Sequence, residues 1–291
     1  NALLQPYMED LLSSANLMFK VEGESVEQDE EIRKAWDAYK SQQASDAAQG
    51  ICLVTGKKAP VARLHPNIKG LYGAQSSGAA LVAFNALAYE SYEHKQGDNA
   101  PVSEYAAFAY TTALNTLLAS ERNYLRIGEM TVVFWAEGAD ADNEDVFGDV
   151  FSSENKIIED ADLQGFFEKV SRGQSFSVKD YLVKPENKFY ILGLSPNAAR
   201  IAVRFFLVDT FGDFIKNYEQ YFREFEIIKP SFDNRVNVPL WQILQETANK
   251  NSKDKAASPL LAGAVLRSIL SGIKYPEALY QNTILRAKAD Q

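Results

Sequence analysis

The sequence predicts an α+β protein, with a small mixed β portion and packed helices followed by an α-rich half. Three observations carry this. Apolar residues recur at helical spacing in Asp29–Gln43, where Ile32, Trp36 and Tyr39 share a face. Short β runs, ICLVTG from Ile51 and the alternating TVVFWA from Thr131, are bounded by glycine turns. Proline-initiated apolar stretches after Pro259 and Pro276 read as helices in the last third.

From the N-terminus, Asn1–Asn16 reads as a short helix end and LMFKVEGESV as a strand with a turn at Glu22–Glu24. Ala44–Gln49 is a polar linker, and Pro60–Lys69, with two prolines, is extended or looped. Two helices are expected next, over Ser77–Tyr92 and Ser103–Ala119, the second capped by Ser103. Leu125–Ala136 reads as a hairpin. Gly138–Asp162 is dense in Asp and Glu, with Lys156 its one base, and is expected to be a mobile solvated insertion. This divides the chain into 1–137, 138–162 and 163–291. Lys188–Leu194 is a strand, and Ser195-Pro196-Asn197 is expected to open a long helix through Arg223. Val238–Lys250 is another helix, followed by a polar loop over Asn251–Ala257.

A chain of 291 residues with a net charge of −9 has an ordinary globular composition. Its charge excludes a protein that meets nucleic acid with its whole surface. One cysteine, Cys52, rules out an intrachain disulfide, fits a reducing cytoplasm and packs as a small apolar residue. No apolar run approaches the ~20 residues of a membrane span.

The basic exception is local. No Asp or Glu occurs from Ala47 to Tyr89, while Lys57, Lys58, Arg63 and Lys69 all fall there. Gly70, Gly73 and Gly78 bracket Gln75, Ser76 and Ser77 in LYGAQSSGAA. Such a loop can offer backbone N–H groups to phosphates, and its amides and hydroxyls to base edges. It can equally be a tight turn into a helix capped by Ser76 or Ser77. Asn67 joins the candidate readers; Asn85, Lys95, Gln96 and Asn99 form a second tier. Arg200 and Arg204, one turn apart on the expected helix, could clamp phosphates, a partner's carboxylates or acids of this chain.

Chemistry at a catalytic site is poorly supported. His65 and His94 are the only histidines, and neither stands in a metal-binding spacing. VTGKKAP lacks the first glycine and the Ser/Thr of a phosphate-binding loop. The acidic segment lacks the fixed ligand spacing of a calcium loop. No cofactor is expected. The two classes left open are a non-catalytic nucleic-acid recognition subunit and a metal-dependent hydrolase using the Asp/Glu-rich segment.

The stretch Cys52–Asn115 resembles the signature of the large subunit of the subtype I-C CRISPR interference complex (Cascade). TVVFWAE at Thr131–Glu137, FYILGLSPNAARIAVRFF at Phe189–Phe206 and SPLLAGAVLRSILSGIKYPEALYQNTILRAKA at Ser258–Ala289 resemble it in the same order. Relative to that family the chain looks like an internal portion, without the first domain and the C-terminal helical region. The resemblance implies a non-catalytic subunit that reads the protospacer-adjacent motif (PAM) in duplex DNA and aids strand opening. It also implies docking of the helicase-nuclease. The implied partners are the guide RNA–protein complex with its backbone and small subunits, target duplex DNA and the helicase-nuclease, with no membrane. It implies the glycine-rich stretch as the reading region: Gln75, Ser76, Ser77 and Asn67, with Lys57, Lys58, Arg63 and Lys69 as positioning charges.

Overall fold

The computed structural model describes residues 18–43 except 22, 48–138, 140–151, 163–226, 240–249 and 257–289, with isolated positions 5, 8, 228 and 238. The expectations for 1–16, 251–256 and most of 44–49 fall outside the described residues. The architecture is α+β, as expected.

Strands β1 (Lys20–Val21) and β2 (Glu24–Ser25) form a minimal hairpin around Gly23, whose φ is +92°. Helix α1 (Glu30–Gln43) begins where Asp29 Oδ1 accepts from the N–H groups of Glu31 and Ile32, at 2.8 and 3.1 Å. Its Ile32, Trp36 and Tyr39 are exposed. Strands β3 (Gln49–Ile51) and β4 (Lys58–Pro60) make a second hairpin. Helix α2 (Glu104–Ala119) starts at Ser103, whose Oγ accepts from Ala106 N at 3.2 Å.

The centre is a four-stranded antiparallel sheet ordered β10-β9-β6-β5. Its members are β5 (Tyr124–Ile127), β6 (Met130–Ala136), β9 (Lys188–Asn197) and β10 (Arg200–Thr210). The acidic stretch therefore lies between two halves of one sheet. One face carries Val133, Leu194 and Ile201, which pack with Leu114 and Leu118 of α2. The other carries the main core, built with α3 (Ala141–Phe151), α4 (Leu163–Ser171), α5 (Phe211–Glu224) and α7 (Pro259–Ser271). A small hairpin, β7 (Phe176–Val178) with β8 (Tyr181–Val183), packs beside α3, and α6 (Leu240–Thr247) meets α8 (Glu277–Ala289). Gly193 has no side chain because a Cβ there would lie 2.6 Å from the Phe205 ring.

Three sequence expectations are corrected. The long helix from Ser195 to Arg223 is instead the end of β9, a tight turn and β10; the helix begins only at Phe211, capped by Thr210. RIAVRFFLVDT is nearly continuous in apolar residues, a pattern that a strand and a helix share; as an edge strand it buries Ile201 and Phe205 while Val203, Phe206 and Val208 stay exposed. Pro196 sits near the strand end beside the turn, where Ala198 takes φ +53°. The helix over Ser77–Tyr92 is irregular chain with one 3₁₀ turn at Leu87–Tyr89. Gly78 and Ala79 at its start are buried against Ile68 and serve close backbone packing rather than a helix. The acidic stretch is not a mobile insertion over its described part. Helix α3 buries Val146, Phe147 and Val150, and its acids bond to neighbouring chain.

Phe147 tests this packing. It is 1% exposed, with ring centroids 4.8 Å from Phe134 and 4.9 Å from Phe189. Phe147→Ala is expected to cost about 3–5 kcal/mol, measured by urea denaturation.

Candidate nucleic-acid interface

The glycine-rich loop is held from two sides. Ile68 and Ala79 exchange backbone hydrogen bonds of 2.9 Å each way. Ala80 N donates to Ala199 O at 3.0 Å, and Ile201 N donates to Ala80 O at 3.0 Å. The loop is thus an annex of the sheet, bonded to the tip of the β9–β10 hairpin. Gly78 has φ +88°, and a Cβ there would lie 2.6 Å from Ile68 O. Both facts require glycine at that position.

Between these ties, Gln75, Ser76 and Ser77 are exposed, and Gln75 O accepts from Gly78 N at 2.9 Å. Asn67 supports the loop: its Nδ2 donates to Ser77 O at 3.2 Å. Asn115 of α2 fixes the neighbouring turn, accepting from Lys69 N at 2.7 Å and donating to Asn67 O at 3.3 Å. Sequence reasoning missed Asn115, because its partners stand more than forty positions away.

Lys57, Lys58, Arg63 and Lys69 are all exposed, and none forms an ion pair with a described residue. Lys57 and Lys58 lie at the β3–β4 hairpin, whose Cys52 packs against Ala106 and Ala107 near the start of α2. Cys52 is buried as a small apolar residue and accepts from Ser103 N at 3.2 Å. Lys69 lies beside the glycine loop, at the other end of the same helix. Arg63 Nη1 donates to Gln96 Oε1 at 3.1 Å. Gly97 N donates to Arg63 O at 3.1 Å, an approach so close that a Cβ on Gly97 would meet Ala62 O.

The second tier divides. Asn99 is a loop staple: its Oδ1 accepts from Ser91 N at 3.0 Å, and its Nδ2 donates to His94 O and Gln96 O at 3.1 and 3.0 Å. Lys95 is exposed beside it. Asn85 accepts from Arg200, whose guanidinium lies 4.1 Å over the Tyr89 ring. Arg200 therefore joins the loop side of the sheet. Arg204 does not: it packs against Gly263 of α7, among the elements of the main core. The structure does not place these two arginines side by side.

His65 anchors the basic loop to α2. Its Nδ1 and the Tyr110 hydroxyl share a hydrogen bond of 2.6 Å, while Nε2 is buried without a partner. Partial burial lowers the imidazole pKa from its ordinary 6.5 and pushes the Tyr110 hydroxyl up to about 12.

Among the described residues of the acidic stretch, Asp140, Asp142, Glu144 and Asp145 are occupied in building the fold. Glu144 accepts from Asn123 Nδ2 at 2.8 Å and from Ala136 N at 3.1 Å. Asp142 accepts from Leu182 N at 3.0 Å; Asp140 pairs with Lys184 at 2.9 Å and Asp145 with Arg122 at 2.7 Å. Among the described residues no group of three or more His, Cys, Asp or Glu side chains is placed to hold a metal. Nor is any helix among them long and apolar enough to cross a membrane.

The whole chain, residues 1–291, matches a family model described as that of a CRISPR-associated protein. The chain belongs to this family, Cas_Csd1, and its role is in CRISPR defence, in a complex with other Cas proteins. No curated protein matches it in sequence.

His65 gives a pH test. Its depressed folded pKa means that the unfolded chain takes up the proton first. Its stabilising contribution is then present above pH 6.5 and lost as pH falls through the folded value. Melting temperature measured from about pH 7.5 to about pH 5 should fall more steeply for the wild type than for His65→Gln.

Proposed function

We propose that this chain is the non-catalytic large subunit of a subtype I-C interference complex, acting in the cytoplasm. In this reading it recognises the PAM in duplex DNA through the Gly73–Gly78 loop, aids strand opening there, and contributes to docking the helicase-nuclease. The observation that carries the reading is one exposed tip, Gln75-Ser76-Ser77, on a backbone fixed to a sheet. A reader of base edges must approach closely and hold its position, and this loop has glycines for the first and sheet bonds for the second. Gln75 brings a primary amide, both donor and acceptor, which suits a base edge or a wedge at the opening step. Lys57, Lys58, Arg63 and Lys69 supply charge for phosphates in a protein that is acidic elsewhere. The division of labour is that of RNA-guided systems: protein reads a short duplex motif and base pairing reads the rest.

The test uses the assembled complex with matched, mutated-motif and pre-opened duplexes. Gln75→Ala should reduce discrimination between the first two by about 1–3 kcal/mol if Gln75 reads a base. If it wedges, strand opening should slow while a pre-opened target is spared. Replacing the four basic residues with Ala should weaken binding to every sequence. It should also flatten the salt dependence by up to ~0.9 for each phosphate that is no longer neutralised. Uniform loss for Gln75→Ala with a lowered melting temperature, or an unchanged salt slope for the quadruple variant, would contradict the reading.

A further inference from the structure

A cleft of about 390 Å³ lies on the face of the sheet that carries the main core, between β10, α7 and the turn that leads to α8. Arg204, Arg267 and Lys274 line it, and its lining holds no carboxylate. None of the three forms an ion pair or a side-chain hydrogen bond with a described residue, and Arg204 Nε is buried without a partner. Arg204 is half-buried, but its Nε donor is withdrawn from water, and a buried donor left unmet is costly unless an acceptor completes it. The walls are rigid. Ser268 Oγ donates to Ala264 O at 3.0 Å and to Lys274 O at 3.2 Å, and Ile273 N donates to Ser268 O at 3.1 Å. Gly263 faces Arg204, whose Cβ would lie in ordinary contact, 3.4 Å, with a Cβ at that position.

The rim identifies the anion's carrier. Val203, Leu260 and Ile273 border the cations and are 51%, 65% and 51% exposed. A phosphodiester backbone is anionic and hydrated and does not cover such residues, and the lining has no aromatic ring for a base. A peptide segment with carboxylates between aliphatic side chains satisfies both halves of the surface.

We propose that this cleft docks a partner protein through a short acidic–aliphatic segment, its carboxylate held by Arg204, Arg267 and Lys274. Its side chains cover Val203, Leu260 and Ile273. The site is separate from the glycine loop and does not depend on that loop reading DNA.

The test is fluorescence anisotropy on the full chain with a labelled peptide of alternating leucine and Asp/Glu, its Asn/Gln twin, and a labelled oligothymidine. The acidic peptide should bind about tenfold or more tightly than the twin, in a salt-sensitive way. Arg267→Ala with Lys274→Ala, both exposed positions that leave the core intact, should abolish the difference. Equal binding of the two peptides, or an unaltered preference in the double variant, would overturn the proposal. Displacement of the acidic peptide by oligothymidine, with the same double variant losing both, would overturn it in favour of a phosphate site.

Discussion

The turn at Ala198–Ala199 is the point on which the candidate interface depends. β9 and β10 pair antiparallel from Lys188 with Thr210 to Asn197 with Arg200. That register leaves the last carbonyl and N–H groups of the hairpin free to bond Ala80. Without that extension the hydrogen bonds of the glycine loop would reach only the adjoining Asn67–Lys69 stretch, which Asn115 holds to α2. With it, Gly78 is pressed onto backbone from one side while Gly73 meets Pro196 from the other; a Cβ on Gly73 would lie 3.2 Å from Pro196 Cγ. The same hairpin sets Arg200 over Tyr89 and Asn85, so one turn organises both the loop and its flanking cation.

The distribution of charge follows the same economy of position. Glu144 and Asp142 of α3 accept from the buried N–H of Ala136 in β6 and the N–H of Leu182 in β8, while Asp145 pairs with Arg122 and Asp140, just before α3, with Lys184. The basic residues of the glycine-rich region stay outside, away from the hydrophobic clusters that α2 gathers beneath them. The stretch from Ala47 to Tyr89 thereby stays free of carboxylates in a chain that is acidic overall. Family membership places the chain in CRISPR defence, and this stretch is where its contact with nucleic acid is proposed.

Much of this was legible in the sequence. α2 was readable to its cap because Ser103, a helical apolar pattern and the preceding Pro101 agree. The β5–β6 hairpin was readable because turn and alternation agree. The α+β class and the position of the basic loop followed from local signals of the same kind. What failed was non-local. RIAVRFF satisfies both a buried strand and a helix, and only pairing with β9 decides between them. ALVAFNALAY has helical composition, yet Ala79 and Ala80 are drawn into bridges with Ile68 and the β10 tip. The acidic run has the composition of a solvated segment, but Val146, Phe147 and Val150 recur on one face and its acids find partners up to some forty residues away. At the candidate interface, the proposed reading residues were named from composition and resemblance, whereas Asn115 and the Ala80 tie had no local trace.

The central claim is that the Gly73–Gly78 tip is presented by a backbone locked into the sheet. Amide hydrogen exchange tests it most directly. The account predicts that Ile68, Ala79, Ala80 and Ile201 exchange slowly and together with the β9–β10 ladder in the free protein. In the assembled complex, motif-bearing duplex should then slow exchange at Ser76 and Ser77. Fast exchange at Ala79 and Ala80 while the ladder remains protected would contradict the account, because the loop would then be an independent flexible segment.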